Sequence, residues 1–244
     1  MKSFIKISLL LLLPLFAKSQ SKEKELDSLH AALKYSANDT VKMLTLSGLN
    51  NYYSESNRDS AMYYIEKGIA IANKIKQPLW VAEFLILKAY ILQKQSNYSL
   101  SFKLCNEALA IIQDKKNEKG AYIPPDDEFA ADVEKFRISR KVGVFHQLGN
   151  TYRGAGNPEK AIEYFKKVIL ILEEVKSKYS NVTANMNIGS IYFRMGKLDS
   201  ALIYSKRALE NANSTGGWKK YSGFILTNIG NIYLKRGLLD SAKS

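Results

Sequence analysis

Few side chains in this 244-residue chain are equipped for chemistry. It has two histidines, His30 and His146, and one cysteine, Cys105. These share no metal-ligand spacing. No HExxH pair, CxxC pair, GxSxG elbow or phosphate-binding glycine loop is present. Gly154-Ala155-Gly156 has neither the third glycine nor the preceding strand of a dinucleotide site. The acidic run Asp126-Asp127-Glu128 follows Pro124-Pro125 and reads as a helix start, where the dipole favours acids, rather than as a metal site. Cys105 falls on an apolar stripe and reads as a buried structural thiol. The expectation is a non-enzyme with no catalytic residue, no metal and no cofactor.

What remains is a row of amides. Gln147, Asn187 and Asn228 each stand two residues before a glycine, while Asn150 and Asn231 stand one residue after it, with Asn50 in the matching place upstream. A carboxamide both donates and accepts, so it can hold a peptide backbone without reading side chains. His146 lies beside these positions, and Arg153, Arg194 and Lys235 lie just beyond them. The candidate groove is therefore Asn50, His146, Gln147, Asn150, Arg153, Asn187, Asn228 and Asn231. The competing reading makes the amides struts between neighbouring segments.

The elements that position this row repeat. Gln147-Leu148-Gly149-Asn150-Thr151-Tyr152 returns as Asn187-Ile188-Gly189-Ser190-Ile191-Tyr192 and as Asn228-Ile229-Gly230-Asn231-Ile232-Tyr233, and in worn form as Gly48-Leu49-Asn50-Asn51-Tyr52. Nine residues after each tyrosine stands an alanine: Ala161, Ala201, Ala242 and Ala61. A fixed repeat implies stacked supersecondary units. Phe145, Leu148, Gly149 and Tyr152 share one helical face. Gly154-Ala155-Gly156 supplies a left-handed stop. Asn157 caps the next helix and Pro158 suits its first turn. Ala161, Phe165 and Val168 form the second helix's apolar face, and small residues at Gly149 and Ala161 let the pair approach. The crossing positions Leu49, Ala89, Gly149, Gly189 and Gly230 are spaced by 40, 60, 40 and 41 residues. The long step implies about twenty extra residues between Gln113 and Lys141.

Leu148, Gly149, Tyr152, Ala161 and Phe165 resemble the tetratricopeptide repeat. Phe145 stands for its usual tryptophan and Glu173 for its closing proline. The next copy matches at Ile188, Gly189, Tyr192, Gly196, Ala201 and Ala208, but its aromatic, Tyr204, comes one residue before the expected place, held by Ser205. The resemblance implies an all-α, right-handed superhelical array of antiparallel helix pairs that binds a protein or peptide along its first helices. The lysine clamp with which some members hold a terminal carboxylate is not visible: its places hold residues such as Leu46, Ile86 and Met186. The run from Asp27-Ser28-Leu29 through Asn38-Asp39-Thr40 to Asp59-Ser60-Ala61 resembles the exported repeat region of Bacteroidetes signalling proteins. There it precedes a membrane span and a histidine kinase, or a helix-turn-helix output domain.

The first nineteen residues look like an export signal. Lys2 and Lys6 precede an apolar run from Ile7 to Phe16, and Ala17-Lys18-Ser19 offers a cleavage site that would leave Gln20 first. The run is about half the ~20 residues of a membrane span; an uncleaved anchor is the alternative. This places the protein outside the cytoplasm, periplasmic or secreted. The chain is +13 overall, with lysines scattered rather than clustered, so no nucleic acid partner is expected. Asp-Ser-Ala at Asp59, Asp199 and Asp240 reads as first-turn helix chemistry. The expected organisation is 1–19 signal, 20–39 an N-terminal helix, 40–112 two repeat units, 113–141 an insert, and 142–244 units three, four and a truncated fifth. In that truncated unit Ile225, Ile229, Ile232 and Tyr233 are expected to lack a covering helix. Membrane anchoring would need sequence beyond residue 244.

Overall fold

The computed structural model describes residues 23–125, 127, 130, 132–175, 181–214 and 221–237. The proposed signal, Asp126, Glu128 and Asp240–Ala242 lie outside them. Every regular element among the described residues is helical: α1 (23–35), α2 (Asp39–Tyr53), α3 (Arg58–Lys74), α4 (Pro78–Lys94), α5 (Tyr98–Gln113), α6 (Val133–Gly154), α7 (Pro158–Glu174), α8 (Val182–Arg194), α9 (Leu198–Ser214) and α10 (Ser222–Lys235), with a 3-10 turn at Lys115–Glu118. The chain divides into two compact units, 1–84 and 85–244, and the division falls within α4.

In the first unit α2 and α3 form a helix pair. Asn38 caps α2, accepting from the Thr40 and Val41 N–H groups. Leu26, Leu29 and Leu33 of α1 are half-buried, as their spacing predicts. Leu29 reaches within 3.0 Å of where a Cβ on Gly48 would stand. Met43, Leu46, Leu49, Ala61 and Ile65 are sealed from solvent.

In the second unit the strongest pairings are α6 with α7 and α8 with α9. Ala161 and Ala201 are fully buried at these crossings. Asn57, Asn97 and Asn157 occupy one register and each caps a second helix, accepting from the N–H three residues on. Gly156 and Gly196 hold φ of +80° and +74° in the turns between paired helices, a conformation glycine enters without penalty.

The glycines at the crossings do different work in consecutive repeats. A Cβ on Gly149 would lie 2.8 Å from the Phe165 ring. Sixteen residues separate both that pair and Gly189 from Ser205. There a Cβ would meet Ser205 Oγ at 2.8 Å and the Ala201 carbonyl at 3.3 Å. Serine in the aromatic's place lets α9 bring its backbone against α8. Tyr204 is therefore not a displaced copy of Phe165. It pairs with Tyr192 at a ring distance of 5.6 Å, as Tyr164 pairs with Tyr152 at 5.4 Å.

Two expectations need correction. The Pro124-Pro125 run does not begin a helix: Asp127 N–H closes a turn onto the Pro124 carbonyl, and α6 starts at Val133, capped by Asp132. Proline biases the residue before it away from helix, and the local cap outcompetes the acidic run. Residues 133–141 of the expected insert are thus the first turns of α6. The segment before it is pinned by Arg137, which donates to Glu118 Oε1 at 2.5 Å and to the Ile112 carbonyl at 3.1 Å. Nor is the α10 face uncovered. Ile225 and Ile229 are buried against Val182, Ala208 and Ala212, with Tyr233 packed beside them, and Ile232 is buried too. The preceding pair, α8 and α9, supplies the cover.

Candidate functional site

Four of the eight candidate residues meet in one place. On α6, three residues face the same way because His146, Asn150 and Arg153 are spaced by four and three. Opposite them stands Asn187 of α8. Their side chains close a ring. Arg153 Nη2 donates to Asn150 Oδ1 at 2.9 Å, and Nη1 donates to Asn187 Oδ1 at 2.7 Å. Asn150 Nδ2 meets His146 Nδ1 at 3.2 Å, and Asn187 Nδ2 meets His146 Nε2 at 3.3 Å. A guanidinium only donates, so both amide oxygens turn to Arg153, which leaves both amide nitrogens facing the imidazole.

Burial pushes His146 down to about 4, with the Arg153 charge adding to the effect. The imidazole is therefore neutral near pH 7. Burial also holds Arg153 below its ordinary value, and the nearby Arg194 charge acts in the same direction. The His146 ring packs edge-on against Phe165 at 5.3 Å, so the α6–α7 core fixes its orientation.

The ring lines an open groove of about 340 Å³, completed by Tyr90, Gln93 and Lys94 of α4 and by Thr183 and Met186 of α8. These five were not anticipated. Gln93 stands sixty residues before Arg153, the spacing of the long repeat step, which was the signal available in the sequence. Met186 stands forty residues after His146, in its register, so that position too was readable; Thr183 carries no such signal.

The remaining candidates are elsewhere. Gln147 is 4% exposed and turns inward. Its Nε2 donates to Thr151 Oγ1 at 3.3 Å; that hydroxyl lies 2.9 Å from Ser101 Oγ, which in turn donates to the Ala89 carbonyl at 2.9 Å. Gln147 is held within α6, and it is the Thr151–Ser101 contact that ties this helix to α5. Asn228 and Asn231 line a separate small recess of about 40 Å³ with Gly189, Ser190 and Ser205. Asn50 belongs to the first unit, buried on α2, with its Nδ2 donating to Asn51 Oδ1 at 3.3 Å. Lys235 lies over the Phe193 ring. Burial raises the Cys105 thiol to about 12, which removes its nucleophilic form at neutral pH. Among the described residues no group of three or more His, Cys, Asp or Glu side chains stands ready for a metal, and no helix is long and apolar enough to cross a membrane.

A family model described as "Tetratricopeptide repeat" matches residues 143–214, and one described as "SusR N-terminal TPR domain" matches residues 18–122. Comparison with curated proteins finds no match. Among solved structures the chain resembles BtubC from P. vanneervenii, with 13% identity, TM-score 0.60, and 92% of this chain and 85% of that one covered. It also resembles a Signal Transduction ATPase with Numerous Domains with a tetratricopeptide repeat sensor from Pyrococcus horikoshii. There identity is 19%, the TM-score 0.61, and 89% of this chain covers 31% of that one. A third is a Rap protein complexed with competence and sporulation factor, with 14% identity, TM-score 0.64, and 93% and 68% covered. The chain thus spans about a third of the signalling ATPase. At these identities the structures speak for the fold alone. With both family models matching, the chain carries tetratricopeptide repeats and has the tetratricopeptide-repeat fold, generally a non-catalytic scaffold.

Proposed function

We propose that this chain is an exported, non-enzymatic scaffold that holds an extended peptide in the groove beside α6 and α8. The observation that carries the reading is the four-membered ring of His146, Asn150, Arg153 and Asn187 along an open groove. The ring turns both amide oxygens to Arg153, and each amide keeps one N–H and one lone pair uncommitted to it. Backbone N–H and C=O groups of an extended peptide match that complement. A Rap neighbour is described as complexed with competence and sporulation factor, which adds general support for a bound partner.

The test is retention of a degenerate blocked hexapeptide mixture by the immobilised protein. Replacing Asn150 and Asn187 together by alanine should cut retention at least tenfold while far-UV circular dichroism stays unchanged. Retention undiminished in that variant would remove the groove reading. Export is tested separately: the protein recovered outside the cytoplasm should begin at Gln20.

A second reading makes the chain the N-terminal sensory region of a membrane-bound histidine kinase or transcriptional regulator. The match of residues 18–122 to a model named for an N-terminal domain favours it. Sequencing past Ser244 would reveal an apolar span of ~20 residues and an output domain.

A further inference from the structure

We infer that the peptide bound in this groove presents a carboxylate to Arg153. The inference rests on the peptide-binding reading and names the ligand group that the site lacks.

Donors outnumber acceptors in the ring. Arg153 has five N–H groups and no acceptor, and the ring uses two of them. A neutral imidazole has one acceptor nitrogen and one N–H. Both His146 nitrogens nevertheless face amide NH₂ groups, at 3.2 and 3.3 Å. One of these contacts therefore sets two donors against each other. Flipping either amide would mend it, but would turn that amide's nitrogen toward the guanidinium. Within this ring one donor is left without an acceptor, and in the open groove that acceptor comes from water or from a bound ligand.

The charge is also one-sided. The groove lining holds Lys94 and Arg153 and not one Asp or Glu. No carboxylate lies within ion-pair distance of Arg153 among the described residues. A partly buried guanidinium without a counter-ion is costly. Burial and the Arg194 charge already oppose its proton. A carboxylate brings two oxygens, matches the planar guanidinium and supplies the missing charge. The arginine sits on the last turn of a first helix, whereas the positions of the lysine clamp hold Leu46, Ile86 and Met186. Two sources share this chemistry: a peptide's C-terminus and an Asp or Glu side chain.

The experiment uses the purified protein and three N-acetylated degenerate hexapeptide mixtures. The first ends in a free acid and contains no Asp or Glu. The second ends in an amide and contains both. The third ends in an amide and contains neither. The first or the second should be retained at least tenfold over the third, and which one it is assigns the carboxylate's source. Arg153→Gln should erase the difference and Arg153→Lys should keep part of it. Equal retention of all three, or a preference that survives Arg153→Gln, overturns the carboxylate and leaves the peptide reading standing. Retention of none overturns both.

Discussion

Arg153 and Asn187 meet at 2.7 Å across 34 residues of sequence. The contact ties the first helix of one repeat to the first helix of the next. It is partly buried and charge-assisted, the stronger kind of hydrogen bond. Replacing Asn187 by alanine removes an acceptor from a guanidinium that has no carboxylate near it. Removing one partner strands the other, so the loss should be about 1–3 kcal/mol in urea unfolding. A double-mutant cycle with Arg153→Gln should show coupling, and additive losses would mean the two side chains act independently.

Gly149 and Gly189 should respond differently to alanine. In a helix interior alanine gains up to about 1 kcal/mol over glycine. At Gly189 the Ser205 hydroxyl can rotate away, but the Ala201 carbonyl at 3.3 Å is backbone and offsets the helix gain, so the variant should be near neutral. At Gly149 the obstacle is the Phe165 ring, which is fully buried and has nowhere to go. Overpacking there should cost about 1–3 kcal/mol, and Phe165→Leu should relieve it. Leucine at either glycine should destabilise. Thermal melts of the five variants check the order.

Much of the fold was legible because each repeat writes its own punctuation. The asparagine caps at 57, 97 and 157, the left-handed glycines at 156 and 196 and the buried alanines at 61, 161 and 201 all carry local signals. The site was half legible, for a physical reason. Gln147 and Asn187 share a register, yet only one reaches the groove. Four residues after Gln147 stands Thr151, whose hydroxyl captures the amide within the same helix. Four residues after Asn187 stands Ile191, which offers nothing, so that amide turns to α6. Register places a residue on a face; its neighbours decide which partner it takes. The start of α6 was misread because a run of acids after two prolines imitates a helix entry that Asp132 makes instead.

The buried hydroxyl pair that ties α6 to α5, with Gln147 bonded to it from within α6, gives a further stability test. Thr151→Val keeps the shape and removes the group that serves both Gln147 and Ser101. Two buried polar groups then lose a partner, which should cost about 1–3 kcal/mol. Peptide retention should stay unchanged, since the groove ring is untouched. A variant of native stability would show that Gln147 finds its partner elsewhere.

His146 gives the protein a pH dependence of defined sign. Its folded-state value is about 4 against an ordinary 6.5. The unfolded chain therefore takes up the proton first as the pH falls. Above about 6.5 both states hold neutral imidazole and this residue adds no slope. Between 6.5 and 4 the unfolded state binds more protons, so stability falls with falling pH. Below 4 both states are charged and the slope ends. Protonation in the folded state would also give both ring nitrogens a hydrogen, facing two amide NH₂ groups and the Arg153 charge, so the ring must open. Urea midpoints measured from pH 7.5 to 4.5 should decline, and His146→Gln should flatten the decline while the slopes from the carboxylates remain. An unchanged decline in that variant would place the titrating group elsewhere.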